Sequence, residues 1–338
     1  MKKIAVLTSG GNAPGMNAAI RAVTRAALAE GIDVYGVRQG YRGLVEDDIE
    51  PLSSSAVGGI CHTGGTVLGS ARCPEFSELE IRKRALENLS RKGIEALIVI
   101  GGNGSQTGSH ALHEMGFPVV GIASTIDNDL AGPDITIGVD SALNVALEAI
   151  DRLKTTGASH RFAFLVEVMG RNCGYLALMS GLAGGAEAIL LPEKDMELED
   201  LVIKLKEAAL NKKTTALVVV AEGAKNNASA CMEYFRAHGE RLGYQLRATV
   251  LGHIQRGAAP SAFDRVLAAR CGGKAIQLLL EGQTGSLVGL MKGEIGAVPL
   301  NEIAGKTKGV DLQLLHLAEQ LNCPTVKPEG DFVLVPKF

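Results

Sequence analysis

The sequence predicts an α/β protein with two Rossmann-like, three-layer α/β/α domains whose sheets are mainly parallel. Short apolar runs alternate along the chain with segments whose apolar residues follow helical spacing, as in repeated strand–helix units. The 42 glycines are spread along the chain at the ends of these segments, where turns between strands and helices need them. The length of 338 residues is sufficient for two hydrophobic cores.

Charge, cysteine usage and hydropathy argue against several classes of protein. The net charge of −3 gives no electrostatic basis for binding nucleic acid or an anionic membrane. The six cysteines are scattered without a CxxC pair, which argues against a zinc site or a disulfide framework. The apolar run at the N-terminus is too short for a signal peptide, and no run approaches a membrane span. The sequence therefore predicts a soluble, cytoplasmic protein without nucleic-acid or membrane partners.

The chain begins with a predicted strand at residues 4–8, the turn sequence GGNAPG at 10–15, and a helix that Gly31 ends. A strand, a glycine-rich turn and a helix can bind phosphate, because free N–H groups and the helix dipole favour an anion at the helix N-terminus. The same pattern also occurs as a turn without a ligand, so this motif alone has low specificity.

Two later strand ends carry the chemistry around which the chain is organised. Predicted strands at 96–100 and 118–122 end in GGNGS (101–105) and in TIDND (125–129), with a helix between them. Either motif alone could be a tight turn or a solvated acidic loop, but ligands of open α/β sheets lie at the carboxyl ends of strands. Asp127 and Asp129 suit a base for a hydroxyl and a ligand for Mg²⁺. A phosphate cradle beside two carboxylates predicts phosphoryl transfer.

The alternation of strands and helices continues to the last predicted helix. The predicted elements are a helix at about 140–154, strands at 161–168 and 188–191, a helix at about 198–210, a strand at 215–221, a helix near 228–241, a helix at 261–281, a strand pair within 286–300 and a helix at 312–321. Arg247, His253 and Arg256 lie around one further strand and can hold a phosphate, although ordinary exposed charge would give the same pattern.

Six motifs also resemble a known family. GGNAPGMNAAIR, GGTVLGSAR, VIGGNGS, TIDND, EVMGR and TVLGHIQRG occur in an order and spacing similar to those of the bacterial-type ATP-dependent 6-phosphofructokinases. The resemblance implies the phosphofructokinase fold, with an ATP-binding domain at 1–138 plus about 256–305 and a sugar-phosphate domain at 139–255 plus about 306–338. It implies phosphorylation of fructose 6-phosphate at its 1-hydroxyl by ATP, the committed step of glycolysis.

The resemblance also implies a role for individual residues. The implied catalytic residues are Asp127, as general base, with Thr125, Arg72 and Arg171. ATP would be bound by Gly11, Tyr41, Arg72, Cys73, Asn103, Gly104, Ser105 and Gly108. The sugar phosphate would be bound by Thr125, Asp127, Met169, Gly170, Arg171, Glu222, Arg247, His253 and Arg256. The implied cofactor is Mg²⁺, held by Asp129 directly or through water and more weakly by Asn103.

Oligomerisation and regulation are implied in the same way. The family is homotetrameric, and Arg247 would complete the site of a neighbouring subunit. An effector site for ADP or phosphoenolpyruvate would contain Arg21, Arg25, Lys154, Glu187 and Lys213. From the residues alone, a solvated helix face is the commoner explanation for Arg21 and Arg25.

Several positions depart from the family pattern. Asn12 and Asn103 stand where Asp is usual, and Phe162 stands where an Arg usually reaches a neighbouring subunit's sugar phosphate. Arg161 could replace that Arg only if the start of the strand is bulged or shifted, because successive strand side chains point to opposite faces.

The donor and the acceptor leave alternatives open. Gly104 leaves room for the α-phosphate of ATP, whereas an Asp there, usual in the pyrophosphate branch, would clash with it and repel it. Ser124 is neither the Lys of that branch nor the Gly common with ATP. We therefore favour ATP, with pyrophosphate, a sedoheptulose 7-phosphate substrate or a weakly active regulatory subunit as alternatives.

Overall fold

The structure is a computed structural model that describes residues 1–238 and 243–321. The strands are β1 (Lys3–Ser9), β2 (Asp33–Val37), β3 (Ile49–Pro51), β4 (Ala96–Gly101), β5 (Val119–Ala123), β6 (Phe162–Val168), β7 (Ala188–Leu190), β8 (Ala216–Ala221), β9 (Gln245–Val250), β10 (Ser286–Met291) and β11 (Glu294–Pro299). The α-helices are α1 (Met16–Ala29), α2 (Tyr41–Glu46), α3 (Leu79–Arg91), α4 (Asn103–Glu114), α5 (Val139–His160), α6 (Tyr175–Gly184), α7 (Leu198–Leu210), α8 (Ala228–His238), α9 (Ala262–Leu280), α10 (Leu300–Ile303) and α11 (Leu312–Gln320).

The chain forms two compact units. Unit 1 contains Met1–Val145 and His253–Lys308, and unit 2 contains Ala146–Gly252 and the described residues from Gly309 onward. The first turns of α5 belong to unit 1 and the rest of this helix to unit 2. None of the helices in the described residues combines the length and apolarity needed to cross a bilayer.

The sheet of unit 1 brings three loops to one edge. Its described strands follow the order β11-β10-β5-β4-β1-β2-β3, and only the two outer pairings, β10–β11 and β2–β3, are antiparallel. Ser9 pairs with Gly101, and Gly101 pairs with Ala123, so β1, β4 and β5 end side by side. The residues after these strands therefore leave the sheet at neighbouring positions.

Helices cover both faces of this sheet, as a parallel sheet requires. Ala5, Leu7 and Val99 on one face join a buried cluster with residues of α2, α3 and α4. α1 and α9 pack on one another and against β1 and β5. The two helices approach closely because Gly272 has no side chain: a Cβ there would lie 2.6 Å from that of Ala22.

The described strands of unit 2 form a parallel sheet in the order β7-β8-β6-β9. Val168 pairs with Ala221, so the residues that follow β6 and β8 also leave the sheet side by side. The predicted α/β class with mainly parallel sheets is confirmed.

Most predicted elements are present, and several of their ends lie one or more residues from the predicted positions. The helix predicted at 140–154 continues to His160, and β6 begins at Phe162 because Arg161 has a left-handed backbone with φ of 55°. Residues 239–241 of the helix predicted near 228–241, and residues 322–338 of the predicted sugar-phosphate domain, lie outside the described residues.

Candidate active site

The GGNGS loop follows β4 and starts α4 at Asn103. Gly101 lies too close to its surroundings for any side chain, because a Cβ there would be 2.5 Å from Ser105 Oγ and 2.6 Å from the Ser9 carbonyl. The N-cap position is Gly102, and a Cβ on the exposed Gly104 would meet no described atom within 4 Å. The first N–H groups of α4 are thus uncovered by side chains, which suits an anionic ligand.

Tyr41 lies beneath this helix, against Gly108 in its second turn. The Tyr41 side chain is 5% exposed, and its hydroxyl donates to the Ser105 carbonyl at 2.5 Å. Burial raises the pKa of Tyr41 above its ordinary value, so the hydroxyl stays a donor. A Cβ on Gly108 would lie 2.8 Å from the Tyr41 ring. The structure therefore places Tyr41 as a support for the first turns of α4, and Gly108 gives its ring room. A direct contact with nucleotide stays a prediction for both residues.

The TIDND loop follows β5 and is held from the segment behind it. Thr125 and Asp127 are both 7% exposed. Thr136 donates its hydroxyl to the Thr125 carbonyl at 2.7 Å and its N–H to Asn128 Oδ1 at 3.2 Å. Asn128 itself has a left-handed backbone with φ of 53°. These contacts fix the backbone on which the Asp127 carboxylate stands.

Arg256 connects the loop after β1 with Asp127. Its guanidinium forms an ion pair with Asp127 Oδ1 at 3.5 Å and donates to the Asn12 carbonyl at 3.1 Å. The Asn12 amide in turn donates to the Arg256 carbonyl at 3.1 Å. A Cβ on Gly11 would lie 2.7 Å from the guanidinium, so any larger residue there would displace the Arg256 side chain. A positive charge therefore lies beside Asp127. The side chains of Arg256 and Asp127 are only 12% and 9% exposed, respectively.

Arg72 lies on an exposed loop that is tied to the same edge of the sheet. Ser70 donates its hydroxyl to the Gly10 carbonyl at 2.5 Å, and Arg42 donates to the Arg72 carbonyl at 3.2 Å. Cys73 packs against the buried cluster that contains Tyr41, and burial raises the pKa of its thiol. His253 is exposed, in the 3-10 helix Gly252–Gln255 that precedes Arg256.

The described residues contain no group of three His, Cys, Asp or Glu side chains that could hold a metal ion by themselves. Asp129 is partly exposed two residues after Asp127, and the Asn103 amide donates to the Lys306 carbonyl at 2.8 Å. Mg²⁺ at phosphoryl-transfer sites is usually held by one or two carboxylates together with substrate phosphates and water. The acidic pair of this loop therefore fits a magnesium ion that arrives with a nucleotide.

In unit 2, the loop after β6 is clamped by the loop after β8. Arg171 has a left-handed backbone with φ of 51°, and its N–H donates to Glu222 Oε1 at 2.9 Å. A Cβ on Gly223 would lie 1.8 Å from the Arg171 carbonyl oxygen. Met169 is 7% exposed, and Gly170 has φ of 139°, a backbone conformation that strongly favours glycine. The Glu222 carboxylate thus positions residues Met169–Arg171, which we call the MGR loop, by accepting a hydrogen bond from the loop backbone.

Arg161 and Phe162 are placed differently at the start of β6. Phe162 is the first residue of β6 and pairs with Gln245, and Arg161 lies before the strand. The Phe162 ring stacks on His160 at 5.2 Å between centroids, and the Arg247 guanidinium lies over the Phe162 ring at 5.1 Å. Phe162 therefore offers Arg247 a cation–π contact instead of a second positive charge.

The predicted effector residues are divided between the units. Lys154, Glu187 and Lys213 line one cavity of about 290 Å³ in unit 2. Lys213 forms an ion pair with Glu187 at 2.9 Å, and Lys154 donates to the Gly184 carbonyl at 2.7 Å. Arg21 and Arg25 lie on α1 in unit 1.

Sequence reasoning missed Asp264, a fully buried carboxylate of unit 1. It accepts from the Gly138 N–H at 2.8 Å, the Ser141 N–H at 2.9 Å and the Ser141 hydroxyl at 2.5 Å, and so anchors the start of α5. The sequence Ser261-x-x-Asp264 carries a capping signal for α9, where Ser261 accepts from the Asp264 N–H. Nothing local in the sequence indicates the distant donors.

Comparisons with known proteins identify the family of this chain. A sequence profile described as Phosphofructokinase matches residues 3–279. An ATP-dependent 6-phosphofructokinase of Halalkalibacterium halodurans is 48% identical over 322 residues, which are 95% of this chain and all of that protein. One of Tolumonas auensis is 52% identical over 295 residues, 87% of this chain and 91% of that protein.

A solved structure gives the same result for the fold. Pichia pastoris phosphofructokinase in the T-state superposes with a TM-score of 0.85 at 39% identity over 95% of this chain, which spans 37% of that longer chain. The family and the fold expected from the six motifs are thereby confirmed, and the chain belongs to the phosphofructokinase family of phosphotransferases.

Proposed function

We propose that this protein transfers the γ-phosphoryl group of ATP to the 1-hydroxyl of fructose 6-phosphate in the cytoplasm, as the committed step of glycolysis. The observation that carries the proposal is the Asp127 carboxylate, held at the end of β5 beside Arg256 and one strand away from the uncovered N-terminus of α4. The names of relatives that are 48% and 52% identical support the same donor and acceptor.

The reaction assigns Asp127 the role of general base. Its carboxylate accepts the proton of the 1-hydroxyl, whose oxygen attacks the γ-phosphorus in line while the bond to the ADP oxygen breaks. Arg72, Thr125 and Arg171 stabilise the transferring charge, together with N–H groups near Gly11 and Gly104. The buried Arg256 pair keeps the Asp127 side chain in one orientation before substrate binds.

Kinases of this family generally need a divalent metal, and we infer Mg²⁺. When bound with the nucleotide, it would neutralise phosphate charge. Asp129 would hold it directly or through water. Asn103 is a poor ligand, because its amide oxygen carries no charge.

Unit 1 would provide the nucleotide site and unit 2 much of the sugar-phosphate site. The residues proposed to contact ATP are Gly11, Tyr41, Arg72, Cys73, Asn103, Gly104, Ser105 and Gly108. Those proposed for fructose 6-phosphate are Thr125, Asp127, Met169, Gly170, Arg171, Glu222, His253 and Arg256, with Arg247 reaching a neighbouring subunit in a homotetramer. The cavity lined by Lys154, Glu187 and Lys213 would take ADP or phosphoenolpyruvate, with Arg21 and Arg25 contributed at a subunit boundary.

The test is a coupled assay for fructose 1,6-bisphosphate with ATP or pyrophosphate across a magnesium titration. Turnover with ATP is expected, and Asp127→Ser should lower it by about 10³-fold or more with a small change in half-saturation by substrate. Asp151→Ser on the exposed side of α5 removes the same charge elsewhere and should leave the rate unchanged.

Other results of this assay would support one of the alternatives. Turnover with pyrophosphate but not with ATP would show that pyrophosphate is the donor. Turnover only with sedoheptulose 7-phosphate would show that this sugar phosphate is the acceptor. Folded protein that binds ATP but gives no product with either donor and either sugar phosphate would be a regulatory subunit. A mild effect of Asp127→Ser would remove Asp127 from the role of base.

A further inference from the structure

The two strand ends that carry the proposed chemistry are joined by a short segment from a distant part of the chain. We call residues Lys306–Lys308 the strap. It follows α10 and is the last part of unit 1. The Asn103 amide donates to the Lys306 carbonyl at 2.8 Å, and the Lys308 N–H donates to the Asp129 carbonyl at 2.9 Å. The strap therefore contacts the start of α4 on one side and the TIDND loop on the other.

Further contacts hold the strap against the TIDND loop and the residues that follow it. Thr307 pairs with Leu130 in an antiparallel bridge. The Lys308 ammonium donates to the carbonyls of Pro133 at 2.5 Å and Asp134 at 3.0 Å. Leu130 is fully buried in one cluster with residues of α10. A displacement of the strap would therefore move the backbone that carries Asp129.

The chemistry of the Asn103 contact requires an amide. The partner is a carbonyl oxygen, so residue 103 has to supply an N–H. A carboxylate at this position would face the Lys306 oxygen at hydrogen-bond distance without a proton to share, and would push the strap away. Asn103 therefore acts as a donor toward protein through its amide nitrogen, and only its neutral amide oxygen is left for a metal ion.

We propose that Asn103 is a positioning residue, which sets the place of Asp129 for the magnesium–nucleotide complex by holding the strap. This inference rests on the proposed function for its catalytic consequence, whereas the mechanical part concerns the unliganded protein alone. It gives Asn103 a role other than that of a weakened metal ligand.

The experiment compares Asn103→Asp and Asn103→Ala with Asn301→Asp, which adds the same charge on the exposed side of the neighbouring α10. Hydrogen exchange of the unliganded protein is followed in a peptide that contains the Lys308 N–H. Both Asn103 variants should raise its exchange rate about fivefold, as the loss of one hydrogen bond predicts, and Asn301→Asp should not.

Kinetics provide the second measurement. The Asn103 variants should raise the magnesium–ATP concentration for half-maximal rate about fivefold and leave half-saturation by fructose 6-phosphate within about twofold. Lys308→Met removes the ammonium contacts of the strap with the Pro133 and Asp134 carbonyls. It should also raise the magnesium–ATP concentration for half-maximal rate. In the double variant, the effect on this ATP parameter should be smaller than the sum of the Asn103→Ala and Lys308→Met effects, because both substitutions act through the strap.

Two results would overturn the inference. Unchanged exchange at the strap in Asn103→Ala would show that the amide does not hold it. Tighter magnesium–ATP binding in Asn103→Asp, with unchanged exchange, would make residue 103 a metal ligand that this chain has lost. If the wild-type protein gives no turnover, the proposed function fails, and the exchange measurement still decides whether Asn103 holds the strap.

Discussion

Gly223→Ala tests whether the MGR loop must keep its observed position. Gly223 follows Glu222 at the end of β8, and the methyl group of alanine would lie 1.8 Å from the Arg171 carbonyl oxygen. Carbon–oxygen contacts below 3.0 Å are essentially absent from real side chains, so the two backbones must separate by about 1.2 Å. The atom in the way belongs to the backbone and cannot rotate aside.

This displacement has two consequences. The hydrogen bond from the Arg171 N–H to Glu222, now 2.9 Å, would lengthen beyond its useful range. Misplacement of a catalytic group by about 1 Å typically costs about 10²-fold in rate, and overpacking costs about 1–3 kcal/mol in the free energy of unfolding. We expect kcat to fall about 100-fold. The protein should stay folded, with its free energy of unfolding reduced by about 1–3 kcal/mol.

The assay is the coupled measurement of kcat, together with a urea titration. Gly273→Ala is the matched control, since a Cβ at this position in α9 meets no described atom within 4 Å and should stabilise the helix by about 1 kcal/mol. A Gly223→Ala protein with kcat within twofold of the wild type would refute the reasoning, because Arg171 would then not depend on this loop geometry.

Three further changes test other contacts. Phe162→Ala should raise half-saturation by fructose 6-phosphate about two- to fivefold, since it removes the cation–π contact that orients Arg247. Gly104→Asp should raise half-saturation by ATP by about tenfold or more through repulsion of the α-phosphate, whereas Gly104→Ala should be tolerated in the same assay. Burial raises the pKa of Asp264, so its contribution to stability is complete below about pH 4 and falls as pH rises through the folded pKa. Asp264→Asn should flatten this slope in urea titrations from about pH 4 upward and destabilise the protein by about 1–3 kcal/mol, because one amide oxygen cannot serve three donors.

The strand ends were predictable because they depend on local patterns. Apolar runs that end in glycine or acidic residues indicate the carboxyl ends of strands, and parallel pairing then brings GGNGS and TIDND to one edge of the sheet. The family motifs fixed the chemistry expected there. Short β2 and β3, by contrast, were not predicted, since three to five residues give too little periodicity.

Contacts between distant residues could not be predicted in the same way. Asn12 and Asn103 looked like lost carboxylates from the sequence, and the structure shows both amides donating to backbone carbonyls 244 and 203 residues away. The ion pair of Arg256 with Asp127 likewise joins two motifs whose spacing contains no information about orientation. Such contacts depend on the tertiary arrangement of loops, which hydrophobic periodicity does not encode.

The position of β10 in the sheet of unit 1 affects how the chain folds during translation. β10 pairs with β5, so one edge of β5 has no neighbour until the ribosome has added residues 286–291. The strands of the other sheet, β6 to β9, are complete in the nascent chain at residue 250. We therefore expect the sheet of the second unit to form before that of the first, while the earlier-made half presents an open apolar strand. The N-terminal half is then the part of the nascent protein that most needs a chaperone.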